Sequence, residues 1–247
     1  MGVTWESVVV RGVPARVFRP ANGRDEWLVW AHGGSWIRGS VEGWHEPCAD
    51  LAVQSGRTVV SVEYRLAPHH PHPAALTDVL TIMDWASTQS GRVAVGGDSA
   101  GGTIAACAAL TWRDLGRSLT AQVLAYPPFD PECQAASYSL GTFPTKSDMQ
   151  AAWRLYRANG PGDAYSTPFD AKDLSGLPPA VLGVGSLDPV SGDVHDYAKR
   201  LRAAGITVEL RLFPGLPHGV FLQPGANPLR DWLGSALRDL TAIKETS

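Results

Sequence analysis

Six short runs rich in β-branched and other apolar residues recur along the chain: E-W-L-V-W-A at 26–31, R-T-V-V-S-V at 57–62, R-V-A-V-G at 92–96, A-Q-V-L-A-Y at 121–126, A-V-L-G-V-G at 180–185 and T-V-E-L-R-L at 207–212. A strand with one face in water alternates apolar and polar residues. A run of this length that is apolar nearly throughout has both faces covered, which calls for helices on either side of a mostly parallel sheet. Longer segments between the runs supply those helices, and the class is α/β. Upstream, S-V-V-V-R-G-V-P-A-R-V-F-R-P at 7–20 predicts an antiparallel hairpin at one edge.

Two helices are legible in detail. From Val190 to Ala204, Val190, Val194, Tyr197, Ala198 and Leu201 recur at helical spacing, Asp193, Asp196, Lys199, Arg200 and Arg202 fill the other side, and Gly205 ends the pattern. Thr103 to Leu110 is apolar all round and predicts a buried helix. With 247 residues and 44% apolar content, one domain spanning 1–247 is expected. A net charge of −3 leaves no basic surplus for nucleic acid. The sequence shows neither a signal peptide nor a membrane-spanning run, so a cytoplasmic location without membrane attachment is expected. Cys48, Cys107 and Cys133 are odd in number and widely spaced, which predicts reduced, packed thiols.

Chemistry concentrates where the predicted strands end. V-G-G-D-S-A-G-G-T at 95–103 sets Ser99 among glycines at a strand-to-helix junction, the setting of a sharp turn that lifts a hydroxyl clear of the sheet. A serine needs a base within reach and a third group to orient that base. His218, in F-P-G-L-P-H-G-V-F, follows the last strand, and Asp188 and Asp193, in G-S-L-D-P-V-S-G-D, follow the one before it. All lie at the carboxyl edge of a parallel sheet, in the order Ser, Asp, His. W-A-H-G-G-S-W at 30–36 follows the first parallel strand and offers backbone N–H groups to a developing oxyanion, joined by the N–H of Ala100. His32 reads as a structural residue of that loop. His69, His70 and His72 are interrupted by Pro71, with no carboxylate or cysteine beside them, so no metal is expected.

H-G-G-S-W, Y-R-L-A-P, G-D-S-A-G-G, L-S-G-L-P-P-A, D-P and H-G-V-F occur here in the order and at about the spacing of the hormone-sensitive-lipase-like esterases, bacterial family IV, which the chain resembles from about Trp27 onward. The resemblance implies the α/β-hydrolase fold, Ser99 as nucleophile, Asp188 as orienting acid, His218 as base, and oxyanion donors on Gly34, Ser35 and Ala100, with Asp193 left as a surface residue. It implies a serine carboxylesterase acting on small-molecule esters without a cofactor. An aryl formamidase on the same triad is the rival reading, and a non-catalytic small-molecule receptor is a more distant one. Three departures stand out: Ser35 replaces the third glycine of H-G-G-G, His69 replaces the Glu after Y-R-L-A-P, and the hairpin begins where relatives carry part of a helical cap. A reduced cap predicts an open cleft walled by the 127–145 segment and by Trp36, with a preference for acyl chains of roughly two to six carbons. A homodimer partner could rebuild such a wall.

Overall fold

The computed structural model describes residues 2–242. Eight strands form one sheet: β1 (Val3–Val10), β2 (Val13–Pro20), β3 (Trp27–Ala31), β4 (Thr58–Val62), β5 (Val93–Asp98), β6 (Gln122–Ala125), β7 (Ala180–Gly185) and β8 (Val208–Phe213). Their order across the sheet is β1-β2-β4-β3-β5-β6-β7-β8. The hairpin β1–β2 is antiparallel and joins the sheet by an antiparallel pairing of β2 with β4, while β4, β3, β5, β6, β7 and β8 run parallel. This is the α/β-hydrolase arrangement expected from the sequence. Each of the six predicted runs forms a strand.

Every residue of β3, β5, β6 and β7 is buried, as the continuous apolar runs require. Strand β8 departs from that pattern. It is the sheet's far edge, and only Phe213 of its residues is fully buried. Helices α1 (His45–Ser55) and α6 (Pro228–Ala242) pack together, as do α2 (Ala74–Gln89) and α3 (Ala100–Asp114). The two pairs cover opposite faces: the side of β5 bearing Gly97 meets α3, and the side bearing Gly96 meets the ring of Trp30, which stacks on Phe221 next to α6. Helix α4 (Lys146–Tyr156) follows the long connection after β6, and α5 (Ser191–Ala203) packs on β7 and β8.

The two ends of the parallel strands are put to different uses. At their amino ends, Glu26, Arg57 and Arg92 precede β3, β4 and β5, and the buried Glu26 carboxylate bridges Arg57 at 2.8 Å and Arg92 at 2.6 Å. Removing one partner of such a buried pair typically costs about 3–5 kcal/mol, so this cluster ties three neighbouring strands in register. The carboxyl ends carry the turns that hold Ser99, Asp188, His218 and the H-G-G-S-W loop. The three cysteines are buried and unpaired, and burial pushes the Cys48 thiol up to about 12. Among the described residues no helix is long and apolar enough to cross a membrane.

Candidate active site

Ser99 sits between β5 and α3 with φ 49° and ψ −124°, a left-handed backbone that costs a non-glycine residue about 1–3 kcal/mol. Its neighbours make that turn possible. A Cβ on Gly97 would lie 2.4 Å from the backbone of Gly101, and one on Gly101 would lie 2.0 Å from the carbonyl oxygen of Ala31. The glycines thus let the first turn of α3 press against the ends of β3 and β5. That contact holds Ser99 and the N–H of Ala100 beside the loop that leaves β3.

Ser99 Oγ lies 2.8 Å from His218 Nε2, and His218 Nδ1 lies 2.9 and 3.0 Å from the two oxygens of Asp188. The network assigns the tautomer: Nδ1–H donates to the carboxylate, and Nε2 accepts from the serine hydroxyl. Asp188 is fully buried and also accepts from the backbone N–H of Val190 at 3.0 Å, so its position is fixed within its own turn. Tyr126 packs edge-on against His218 with ring centroids 4.8 Å apart, and its hydroxyl accepts from the N–H of Phe221 at 2.9 Å, bracing the loop that carries the imidazole.

The H-G-G-S-W loop completes the site. Gly34 takes φ +117° and Ser35 φ +56°, and a Cβ on Gly34 would lie 2.1 Å from the carbonyl oxygen of Arg38. Backbone N–H groups of Gly34, Ser35 and Ala100 donate to no acceptor among the described residues. Gly33 N–H is already spent on Asp98 Oδ1, at 3.1 Å. That same oxygen accepts from the indoles of Trp30, at 3.2 Å, and Trp44, at 2.8 Å. Burial pushes the Asp98 carboxyl up to about 7 against these donors. His32 is structural, as expected: it lies 2.7 Å from the Gly33 carbonyl, its ring stacks on Tyr64, and burial lowers its pKa to about 4, so the imidazole is neutral.

Ser99 and His218 open onto a cavity of about 120 Å³. Its walls include Trp44, Tyr126, Phe143, Pro144 and Leu222, with Gly34, Ser35 and Arg38 on the side of the H-G-G-S-W loop. Two expectations are corrected here. Trp36 is not a wall: with φ +62° the chain turns its indole inward, where it is 1% exposed and packs on Trp153 and Tyr156 of α4. Asp193 is not a surface residue: it is 1% exposed and accepts from the N–H groups of Phe129 and Asp130 and from the Tyr138 hydroxyl. The 127–145 segment does reach the cavity, through Phe143 and Pro144. Sequence reasoning gave no role to Asp98, although it lies inside the quoted G-D-S-A-G-G; the signal for it was an acid that must be buried next to a buried helix start.

A family model described as the alpha/beta hydrolase fold matches residues 28–222. The chain belongs to the α/β-hydrolase family. The likeness to its hormone-sensitive-lipase-like group extends beyond short motifs to most of this chain, which spans only part of the length of the relatives it matches. The carboxylic ester hydrolase LipN of Mycobacterium tuberculosis is 37% identical over 227 residues, which cover 84% of this chain and 60% of LipN. Carboxylesterase NlhH of the same species is 36% identical over 84% of this chain and 70% of its own length. A crystal structure of an esterase from the bacterial hormone-sensitive lipase family superposes with a TM-score of 0.89 at 28% identity, covering 96% of this chain and 84% of that one. In this α/β-hydrolase the matched residues 28–222 include the loop after β3 and the turns after β5, β7 and β8 that carry the site described above.

Proposed function

We propose that the protein is a serine carboxylesterase that hydrolyses small esters with short acyl chains. The observation that carries this reading is the continuous hydrogen-bonded series from Ser99 Oγ through His218 to Asp188, opening on a cavity bordered by unspent backbone N–H groups. His218 Nε2 takes the Ser99 proton as Oγ attacks the ester carbonyl. The carbonyl oxygen becomes an oxyanion and accepts from the N–H groups of Gly34, Ser35 and Ala100, whose partners are then supplied by the reaction itself. Asp188 keeps Nδ1 protonated and stabilises the imidazolium that forms. Collapse expels the alcohol with a proton from Nε2, and water attacks the acyl-enzyme by the same route.

Chain-length preference follows from the cavity. Each methylene gains about 0.8 kcal/mol only where apolar surface is available to bury it. A space of about 120 Å³ supports that gain for a few carbons, after which the chain meets water. The test is a p-nitrophenyl ester series from acetate to dodecanoate with an aryl formamide beside it, together with labelling by a fluorophosphonate. The expected outcome is a kcat/KM maximum at roughly two to six carbons, little formamide turnover, label on Ser99, and a loss of about 10⁴-fold or more in kcat for Ser99→Ala. Label on another serine, or kcat/KM still rising beyond ten carbons, would overturn the reading.

A further inference from the structure

Between β6 and α4 the chain runs through residues 127–145, and among their described side chains Phe143 faces the reaction most directly, its ring edge-on to His218 at 6.2 Å. Phe143 is 57% exposed, so packing alone does not fix it. Its position depends on how the segment before it is held. That support converges on the turn and helix start that also bear the triad acid. Asp193 Oδ2 accepts from Phe129 N at 2.8 Å, Asp130 N at 3.0 Å and Tyr138 Oη at 3.0 Å, gripping the segment on both sides of the bend at Pro131 to Ala135. Ser137 Oγ donates to the Pro189 carbonyl at 2.6 Å and accepts from Gly192 N at 3.1 Å, and Thr142 Oγ1 donates to the Leu187 carbonyl at 3.0 Å.

We propose that Asp193 is a positioning residue for the cavity wall: through Tyr138 and the ties that follow it, Asp193 fixes Phe143 beside His218 and thereby sets how long an acyl chain the site accepts. The inference rests on the ester-hydrolase reading. Its physical basis is the cost of leaving the Asp193 carboxyl group. It is a single buried acceptor shared by three donors, so letting go of it strands several buried polar groups at once, whereas the Thr142 tie that comes last before Phe143 is one exposed bond whose partners can turn to water. Asp188, by contrast, keeps its own bonds to Val190 N and His218. Loosening the segment therefore moves the wall before it moves the triad.

Tyr138→Phe removes one of the three donors and keeps the ring; Asp193→Asn weakens all three; Phe143→Ala removes the wall itself. Kinetics on p-nitrophenyl acetate and octanoate for each variant, and for Tyr138→Phe and Asp193→Asn in the Phe143→Ala background, form double-mutant cycles. In the wild-type background, Tyr138→Phe should shift the acetate-to-octanoate ratio of kcat/KM toward octanoate by roughly fivefold, mainly through KM. With Phe143 gone, the same substitution should leave the ratio unchanged, which a merely structural role for Tyr138 or Asp193 does not predict. An equal shift in both backgrounds, a uniform loss on both esters, or no shift at all overturns the proposal. Fluorophosphonate labelling of Ser99 in every variant tests the ester-hydrolase reading separately.

Discussion

Replacing Gly101 with alanine adds one methyl group at the tightest contact of the site. Its Cβ would stand 2.0 Å from the Ala31 carbonyl oxygen and 2.4 Å from that of His32. Carbon–oxygen contacts settle at about 3.3 Å or more, so the start of α3 must retreat by roughly 1 Å. Both obstructing atoms are backbone, one at the end of β3 and one in the loop after it, and neither can swing aside as a side chain would. Overpacking of this kind costs about 1–3 kcal/mol, and for a chain of this size each kcal/mol lowers Tm by about 2–4 °C. The kinetic cost is larger. Ser99 and the N–H of Ala100 ride on α3, whereas Gly34 and Ser35 ride on the loop from β3, so the retreat separates the nucleophile and one oxyanion donor from the other two. A misplacement of about 1 Å is worth about 10²-fold in rate. The measurement is kcat on p-nitrophenyl acetate, with active sites counted by fluorophosphonate titration so that unfolded protein is not scored as slow enzyme. Gly102→Ala is the control, since its nearest obstacles are Pro127 Cβ at 3.0 Å and the Gly97 carbonyl at 3.1 Å, and it should lose far less. A Gly101→Ala enzyme with kcat within twofold of wild type and unchanged Tm would refute the reasoning.

Two further outcomes follow from buried acids. Asp188→Asn should lower kcat by about 10⁴-fold with little change in KM or Tm, because the imidazole loses the partner that fixes its tautomer; a loss under tenfold would show that another group orients His218. Burial raises the Asp193 carboxyl from its ordinary 3.8 to about 7, so the folded state holds a proton that the unfolded chain releases. The stability linked to that proton is present in full below about pH 4 and is lost as pH rises through about 7. Urea titrations across that interval should therefore show Asp193→Asn gaining on the wild type as pH rises, by at most about 4 kcal/mol, and a difference independent of pH would contradict the assignment.

The sheet was legible because burial on two faces leaves an unmistakable pattern: β3, β5, β6 and β7 have no position that must tolerate water. β8 was assigned correctly as a strand, but its covering was overestimated, since V-E-L-R-L-F alternates as an edge strand does. The order of Ser99, Asp188 and His218 could be read because parallel strands deliver their following turns to one edge. Trp36 and Asp193 were misplaced for a shared reason. Each was judged from its local pattern, a residue next to a catalytic loop in one case and the polar side of a helix in the other. In both, a distant segment decides the environment: α4 covers Trp36, and residues 129–138 fold over the side of α5 that its own periodicity assigns to solvent. Phe143 lies in the 127–145 segment that was expected to wall the cleft, although the sequence did not single it out there; Leu222 had no signal, because an apolar residue in an irregular segment acquires such a role only when the segment is placed.

The left-handed turn at Ser99 also has a meaning on the scale of descent. Glycine adopts φ 49° without the penalty a serine pays, so selection acting on folding alone favours Ser99→Gly by something on the order of 1 kcal/mol. Chains sit close to their stability threshold, where a gain of that size is repeatedly available to drift. A lineage relieved of its reaction would shed the hydroxyl among its earliest changes, with the sheet, the helices and the buried Glu26 cluster left intact. Under the proposed esterase function, a serine kept at this backbone angle is a cost in stability that turnover offsets.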